Sequence, residues 1–309
     1  MGQPSFRKGV FFASLAYFLW GILPIYWKFL SAIPAYHILS FRIIFSLFLV
    51  SGLLFAMKNT TWLGFYKERR KLVLLIFAAI SVSINWGFYI WAVNSGHVIQ
   101  TSLGYYITPL ISIILGLCFF REKLNLLQTI AFGMAFAGVL ILTLLTGELP
   151  WVSLVMAFSF AFYGLCKKAI QLSSLESLGV ETLLATPLGL LLLLIPFEGG
   201  ASFPHVAGLA YLLELPILTL FLLLLCGAIT SFPLLLFSKG AKILPLSTLG
   251  FVQFISPTLT FLTGVFIFKE PFSRANFIAF AFIWTSAILY IISLWKIQGA
   301  RGSAGLDRK

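Results

Sequence analysis

Charge is what this sequence holds least of. Of 309 residues, 10% are Asp, Glu, Lys or Arg, while 60% are hydrophobic. A soluble domain carries about 25% charged residues, so composition excludes a soluble globular fold. Cysteine is nearly absent as well. Cys118, Cys166 and Cys226 lie in or at the end of apolar segments, too few for a disulfide framework and without metal-ligand spacing. They read as small buried hydrophobes. No glycine loop closed by a lysine is present to cradle phosphates, which removes a built-in ATPase. The sequence also lacks a metal-ligand cluster, a serine or cysteine nucleophile with a recognisable base, and a selectivity-filter repeat. The chain is expected to be no enzyme and to take no cofactor. Period-two alternation is missing too: runs such as Leu188–Ile195 and Leu218–Leu225 are apolar throughout, whereas a membrane β-barrel strand alternates over about 10 residues.

Long apolar runs are what the sequence has in plenty. Ten of them, at 9–28, 35–57, 72–93, 98–120, 126–145, 151–167, 178–197, 211–235, 245–268 and 275–295, match the length of about 20 residues that spans a bilayer as a helix. The fold class predicted is an all-α polytopic membrane protein with ten transmembrane helices. The first run is not followed by a small-residue cleavage site and reads as a retained helix. The tail 297–309, rich in Gly, Ala and charge, is expected to be disordered.

The net charge of +12 invites a nucleic-acid partner, but the basic residues sit at helix ends. With the N-terminus inside, the 21 Lys and Arg less Lys28, Lys269 and Arg274 outside and Arg42 within a helix leave 17 on the inner loops. That is the positive-inside pattern. It predicts a multi-pass protein of the bacterial inner membrane with both termini cytoplasmic, the bilayer as a partner and no nucleic acid.

The sequence also repeats itself. Leu103-Gly104-Tyr105 leads to Pro109, which stands 13 residues before Glu122 in Phe120-Arg121-Glu122-Lys123. Leu249-Gly250-Phe251 leads to Pro257, which stands 13 residues before Glu270 in Phe268-Lys269-Glu270-Pro271. The copies lie in the fourth and ninth predicted helices. An offset of five helices is odd, so the halves, 1–147 and 148–296, are expected to be oppositely oriented, as in many secondary transporters.

Several pieces, in order, carry a family likeness. They are Ala16-Tyr17-Phe18-Leu19-Trp20-Gly21, Asn85-Trp86 with Trp91-Ala92-Val93-Asn94, and Leu103-Gly104-Tyr105-Tyr106. Ala157-Phe158-Ser159-Phe160-Ala161-Phe162-Tyr163-Gly164, Ser247-Thr248-Leu249-Gly250-Phe251 and Phe280-Ala281-Phe282-Ile283-Trp284 continue the series. From about residue 7 to 295 the chain resembles the EamA branch of the drug/metabolite transporter superfamily, and within it the RarD-type permeases. The resemblance implies ten helices and movement of a small metabolite or drug across the inner membrane. Members are described as proton-coupled or facilitative exporters, with amino acids and related compounds among their substrates.

A polar side chain at bilayer depth is costly unless it faces protein or a wet cavity. Arg42, about seven residues into the second run, stays charged. It is expected either to hold a carboxylate or phosphate of the substrate, or to snorkel to the interface or be locked to a helix-end carbonyl or acid. Glu181 is expected to carry a proton or to pair with Lys167 or Lys168. Asn85 is deep enough to line a cavity; Asn94, nine residues on and about 13 Å further along the axis, is not at the same point. Trp20, Tyr105, Tyr106, Tyr163 and Gln253 make an aromatic and amide lining, with packing as the alternative for each. Pro109 and Pro257 are expected hinges, and His37 is expected at an interface. The expected mechanism is alternating access, as an exporter with a proton as a further partner. The alternatives are a facilitative uptake carrier or exchanger, or a non-transporting receptor, acting as a monomer or weak homodimer.

Overall fold

A computed structural model describes residues 6–94, 98–146, 151–195, 208–267, 269 and 274–306. The apolar runs fold as helices: α1 (Phe6–Phe29), α2 (Ala35–Ala56), α3 (Arg69–Asn94), α4 (Val98–Phe119), α5 (Leu126–Thr146), α6 (Trp151–Ala169) and α7 (Ser174–Leu193). They continue with α8 (Ile217–Ile243), α9 (Leu246–Gln253), α10 (Ile255–Leu262) and α11 (Arg274–Leu306). Eight segments are long and apolar enough to cross a membrane, with α9, α10 and a π-turn over Thr263–Ile267 counting as one; the apolar stretches Gly104–Phe119 of α4 and Phe280–Leu294 of α11 are shorter. Among the described residues the expected ten therefore stands at eight. The helices are apolar on their outer faces too: Leu126 is 76% and Ile217 83% exposed. A helix apolar all round belongs in lipid, where such side chains cost nothing.

Helix boundaries follow local chemistry. Pro34, Pro216 and Pro245, each extended with a fixed φ, immediately precede α2, α8 and α9. The start of α8 is thus later than the predicted 211, because Gly208–Leu213 forms a 3-10 turn first. Ser173 and Glu176 form a capping box at α7, each side chain closing on the other's backbone N–H. Lys58, Arg121 and Lys269 adopt positive φ just past helical ends, the left-handed cap that satisfies terminal carbonyls. Arg121 and Lys269 hold the same place in the two sequence repeats; Glu270, which completes the second copy, lies outside the described residues. The last helix continues to Leu306, past the point where a disordered tail was expected, since extending an existing helix is far easier than nucleating one.

The predicted ninth helix is broken. Pro257 has no N–H to bond the carbonyl four residues back and crowds it, and α9 ends at that residue, Gln253. Pro109 stands inside α4 without ending it.

The packing partners come in matching pairs. Helix α1 lies on α8 and α3 on α6; α4 lies on α6 and α1 on α10; α2 lies on α8 and α3 on α7. Further large contacts join α2 to α7, α4 to α9 and α5 to α11. At two glycines the backbone of another helix comes closer than 3.0 Å to where a Cβ would stand. A Cβ on Gly227 of α8 would stand 2.4 Å from the Phe45 carbonyl carbon of α2, and one on Gly250 of α9 would stand 2.7 Å from the Pro109 carbonyl oxygen of α4.

His37, in the first turn of α2, is fully buried within the protein. It stacks on Tyr211 at an interplanar angle of 6°, with Nδ1 2.8 Å from the Tyr211 hydroxyl and Nε2 3.3 Å from the Ile195 carbonyl. Nε2 must donate to a carbonyl, so in the neutral ring Nδ1 accepts from the phenol. Burial pushes the Tyr211 phenol up and keeps it a donor. His97 and His205 lie outside the described residues.

Candidate functional site

Lys and Arg cluster at the end of the bundle where α1, α3, α5, α7 and α9 begin. A polar cavity of about 110 Å³ opens deeper in, lined from α1, α2, α3, α4, α6, α8, α9 and α10. Trp20, Arg42, Asn85, Tyr105, Gln253 and Pro257 all reach it, so six sequence-selected residues from distant parts of the chain meet in one place. A water needs about 10–15 Å³ of such space, so the volume suits a small group of waters or a compact molecule.

Arg42 dominates the cavity. Its Nε donates to Thr230 Oγ1 of α8 at 3.1 Å. The guanidinium lies between two indoles, 4.9 Å from the Trp27 centroid and 4.6 Å from that of Trp86. Such cation–π contacts are worth up to about 2 kcal/mol when desolvated. Among the described residues no carboxylate forms an ion pair with it; the ion pairs found are Glu68–Lys71, Glu122–Lys168 and Glu181–Lys167. Nor does it reach a helix-end carbonyl. A guanidinium has five N–H donors, and the bond to Thr230 uses one. The terminal fork is left with no protein acceptor among the described residues.

Other polar groups frame that charge. Asn85 Nδ2 donates to the Met156 carbonyl at 2.9 Å and to Ser159 Oγ at 3.3 Å, both on α6, which leaves Oδ1 as its available acceptor. Gln253 Oε1 accepts from the Tyr17 hydroxyl at 3.4 Å. Tyr89 and Tyr105 form an aromatic pair 6.0 Å apart. Tyr105 and Gln253 each stand four residues before a repeat proline, where the missing N–H removes the donor to their carbonyls.

Tyr163, Tyr106 and Glu181 do not line the cavity. Tyr163 stacks on Phe237, which meets Trp20 at 5.6 Å and Tyr17 at 6.0 Å. These rings are a floor between the cavity and the basic end. The Tyr106 hydroxyl donates to the Pro257 carbonyl at 3.0 Å and its ring packs on Phe280. Glu181 is bound on the far side of the floor. Its Oε1 accepts from Lys167 Nζ at 2.8 Å and from Ser177 Oγ at 2.5 Å, and its Oε2 from the Tyr163 hydroxyl at 3.1 Å. Lys167 is 0% and Glu181 2% exposed. Asn94 has no described side chain.

Reading the sequence alone missed Trp27, Trp86 and Thr230. Thr230-Ser231 is a polar pair in an otherwise apolar run, and Trp86 directly follows Asn85; both were available signals. Glu122, which ends the first sequence repeat, reaches across to α9, accepting from the backbone N–H groups of Leu246 at 2.6 Å and Ser247 at 2.8 Å, with Lys168 3.6 Å away. Among the described residues no group of three His, Cys, Asp or Glu could hold a metal.

An all-α, multi-span fold wrapped round a small cavity defines an integral membrane protein. Comparison with known proteins gives the family. Residues 7–144 match the EamA-like transporter family. An uncharacterized transporter, YojE, of Bacillus subtilis is 41% identical over 98% of this chain and all of its own length. Protein RarD of Streptomyces exfoliatus is 38% identical over 96% of this chain and 91% of its own, and protein RarD of Escherichia coli 36% over 94% and 96%. A solved crystal structure, 16% identical, superposes with a TM-score of 0.70 over 92% of this chain and 97% of its own, which shows the fold. The chain belongs to the RarD-type, EamA-like transporters of the drug/metabolite transporter superfamily. It is a secondary transporter of the bacterial membrane by family, and not an enzyme.

Proposed function

We propose that the chain moves a small metabolite, or an amphipathic drug, outward across the inner membrane by alternating access, with Arg42 as the main substrate contact. The single observation that carries this is the charged fork of Arg42, opening on a cavity walled by helices of both halves and paired with no acid among the described residues. The guanidinium is half-buried, and its fork, without a protein acceptor among the described residues, is placed to be completed by an acidic ligand. Trp20, Asn85, Tyr105 and Gln253 complete the contacts.

The architecture proposed is ten helices in two inverted repeats, 1–147 and 148–296, with both termini cytoplasmic. The matching helix pairs support it: exchanging α1 with α6, α2 with α7, α3 with α8 and α4 with α9–α10 turns α1 on α8 into α3 on α6, α4 on α6 into α1 on α9–α10, and α2 on α8 into α3 on α7. The shared left-handed caps at Arg121 and Lys269 support it as well. On this topology the cavity faces outward. Its aromatic floor and the Glu122 bridge to α9 close the cytoplasmic side, and Pro109 and Pro257 are the flexing points as the halves rock. A proton role for Glu181 would work through its pair with Lys167, remote from the ligand.

The test is a thermal-shift screen of detergent-purified protein against metabolites and drugs at acidic and neutral pH, followed by flux of each hit into sealed vesicles. A ligand raises stability by mass action. A hit that crosses supports the carrier; a hit that binds without crossing replaces it with a receptor.

A further inference from the structure

Resting on that transport reading, we infer that the cargo is an aromatic monocarboxylate, carried as the anion and without a compensating ammonium group. Three features of the cavity select this class. The first is charge. Among the described residues Arg42 is the one ionised side chain in the lining, whose other members are aromatic, aliphatic, amide or hydroxyl residues. One guanidinium fork matches one carboxylate, with two parallel N–H···O bonds; a dianion would keep a second, unmatched charge in a largely apolar space.

The second is the absence of a counter-ion for a cation. Among the described residues no acid lines the cavity, and the faces of Trp27 and Trp86 are already occupied by the guanidinium, so an ammonium group would find no ionic partner beside Arg42. A ligand ammonium would share a space of about 110 Å³ with a fixed like charge. The site therefore selects against amino acids and amines of the same skeleton.

The third is shape. Trp20, Tyr89, Tyr105 and Phe160 supply flat walls, so a ring is the body that fills the space. Asn85 Oδ1 is an acceptor for a ligand hydroxyl, and the Ser256 hydroxyl can donate or accept, while Thr260 donates to the Gly21 carbonyl at 3.3 Å.

The charge carries an energetic consequence. A monoanion bound to Arg42 makes a neutral complex, whereas the empty site is positive. Each cycle moves one net negative charge in the direction of transport. A membrane potential, negative inside, therefore drives export without a proton.

A series on one skeleton tests this: 3-phenyllactate as the anion, phenylalanine as the zwitterion and 3-phenylpropane-1,2-diol as the neutral form. Thermal shift on the purified protein reads binding, and vesicles with a valinomycin-set potassium potential read flux. The expected result is stabilisation by phenyllactate, at least about tenfold weaker binding of phenylalanine and the diol, and phenyllactate uptake accelerated by an interior-positive potential. Equal or better binding of phenylalanine or the diol overturns the inference. Binding by none of the three overturns it too, as does flux indifferent to the potential. Phenyllactate that binds and never crosses leaves the ligand class standing and removes the transport reading; flux of phenylalanine or the diol alone does the reverse. The wild-type series needs no variant, so it stands even if Arg42→Ala fails to fold.

Discussion

Arg42 of α2 and Thr230 of α8 meet through one hydrogen bond, Nε to Oγ1 at 3.1 Å, and that bond decides which edge of the guanidinium is free. The side with one N–H is tied to the protein, and the fork with four faces the cavity. Thr230→Val keeps the shape and removes the acceptor. A hydrogen bond to a charged group is worth about 1.5–3 kcal/mol, so ligand affinity is expected to fall roughly ten- to a hundredfold while the fold persists. Titration of ligand-induced thermal shift measures this; unchanged affinity would show that the two indoles alone orient Arg42.

Trp86 and Trp27 hold the same guanidinium from both sides. Trp86→Phe retains a ring face and is expected to cost less affinity than Trp86→Leu, with a difference of about 0.5–2 kcal/mol. Equal losses in the two variants would mean the indole serves packing alone.

The Lys167–Glu181 pair is buried beneath the aromatic floor. Removing one partner leaves a bare charge, and Glu181→Gln is expected to destabilise by about 3–5 kcal/mol. Combining it with Lys167→Met is expected to recover most of that loss, read as the unfolding temperature. A double variant that is stable and transports with unaltered pH dependence assigns the pair to structure. One that loses its pH dependence assigns Glu181 to proton coupling.

Gly227 receives the backbone of Phe45 closer than any Cβ can stand. Gly227→Ala must push α2 from α8, separating Arg42 from Thr230. Overpacking of this kind costs about 1–3 kcal/mol, and the variant is expected to lose both thermal stability and ligand binding. Wild-type values for both would refute the close α2–α8 contact.

Much of this site was legible in the sequence, for a physical reason. A charge or amide inside an apolar run has few tolerable environments, so Arg42, Asn85 and Gln253 declare themselves. Aromatic rings do not: Trp20 and Tyr105 line the cavity while Tyr163 and Tyr106 pack beside it, and nothing in spacing separates the two fates in a chain with 17% aromatics. Helix ends were legible to a few residues where proline or a basic loop marks them. The break at Gln253 and the reach of Glu122 to α9 were not, because both depend on a helix contact far along the chain. Glu181 illustrates a different limit: its two readings, proton carrier or partner of Lys167, differ only in whether the lysine bends toward it, which the fold decides.

The measurement closest to the central claim is flux across sealed vesicles of a ligand chosen by binding, compared among wild type, Arg42→Lys and Arg42→Ala. Arg42→Lys keeps the charge but loses the fork. The account predicts full flux in the wild type, reduced flux in Arg42→Lys, and near-background flux in an Arg42→Ala protein that is still folded by thermal unfolding. A folded Arg42→Ala protein moving the ligand at the wild-type rate would contradict it.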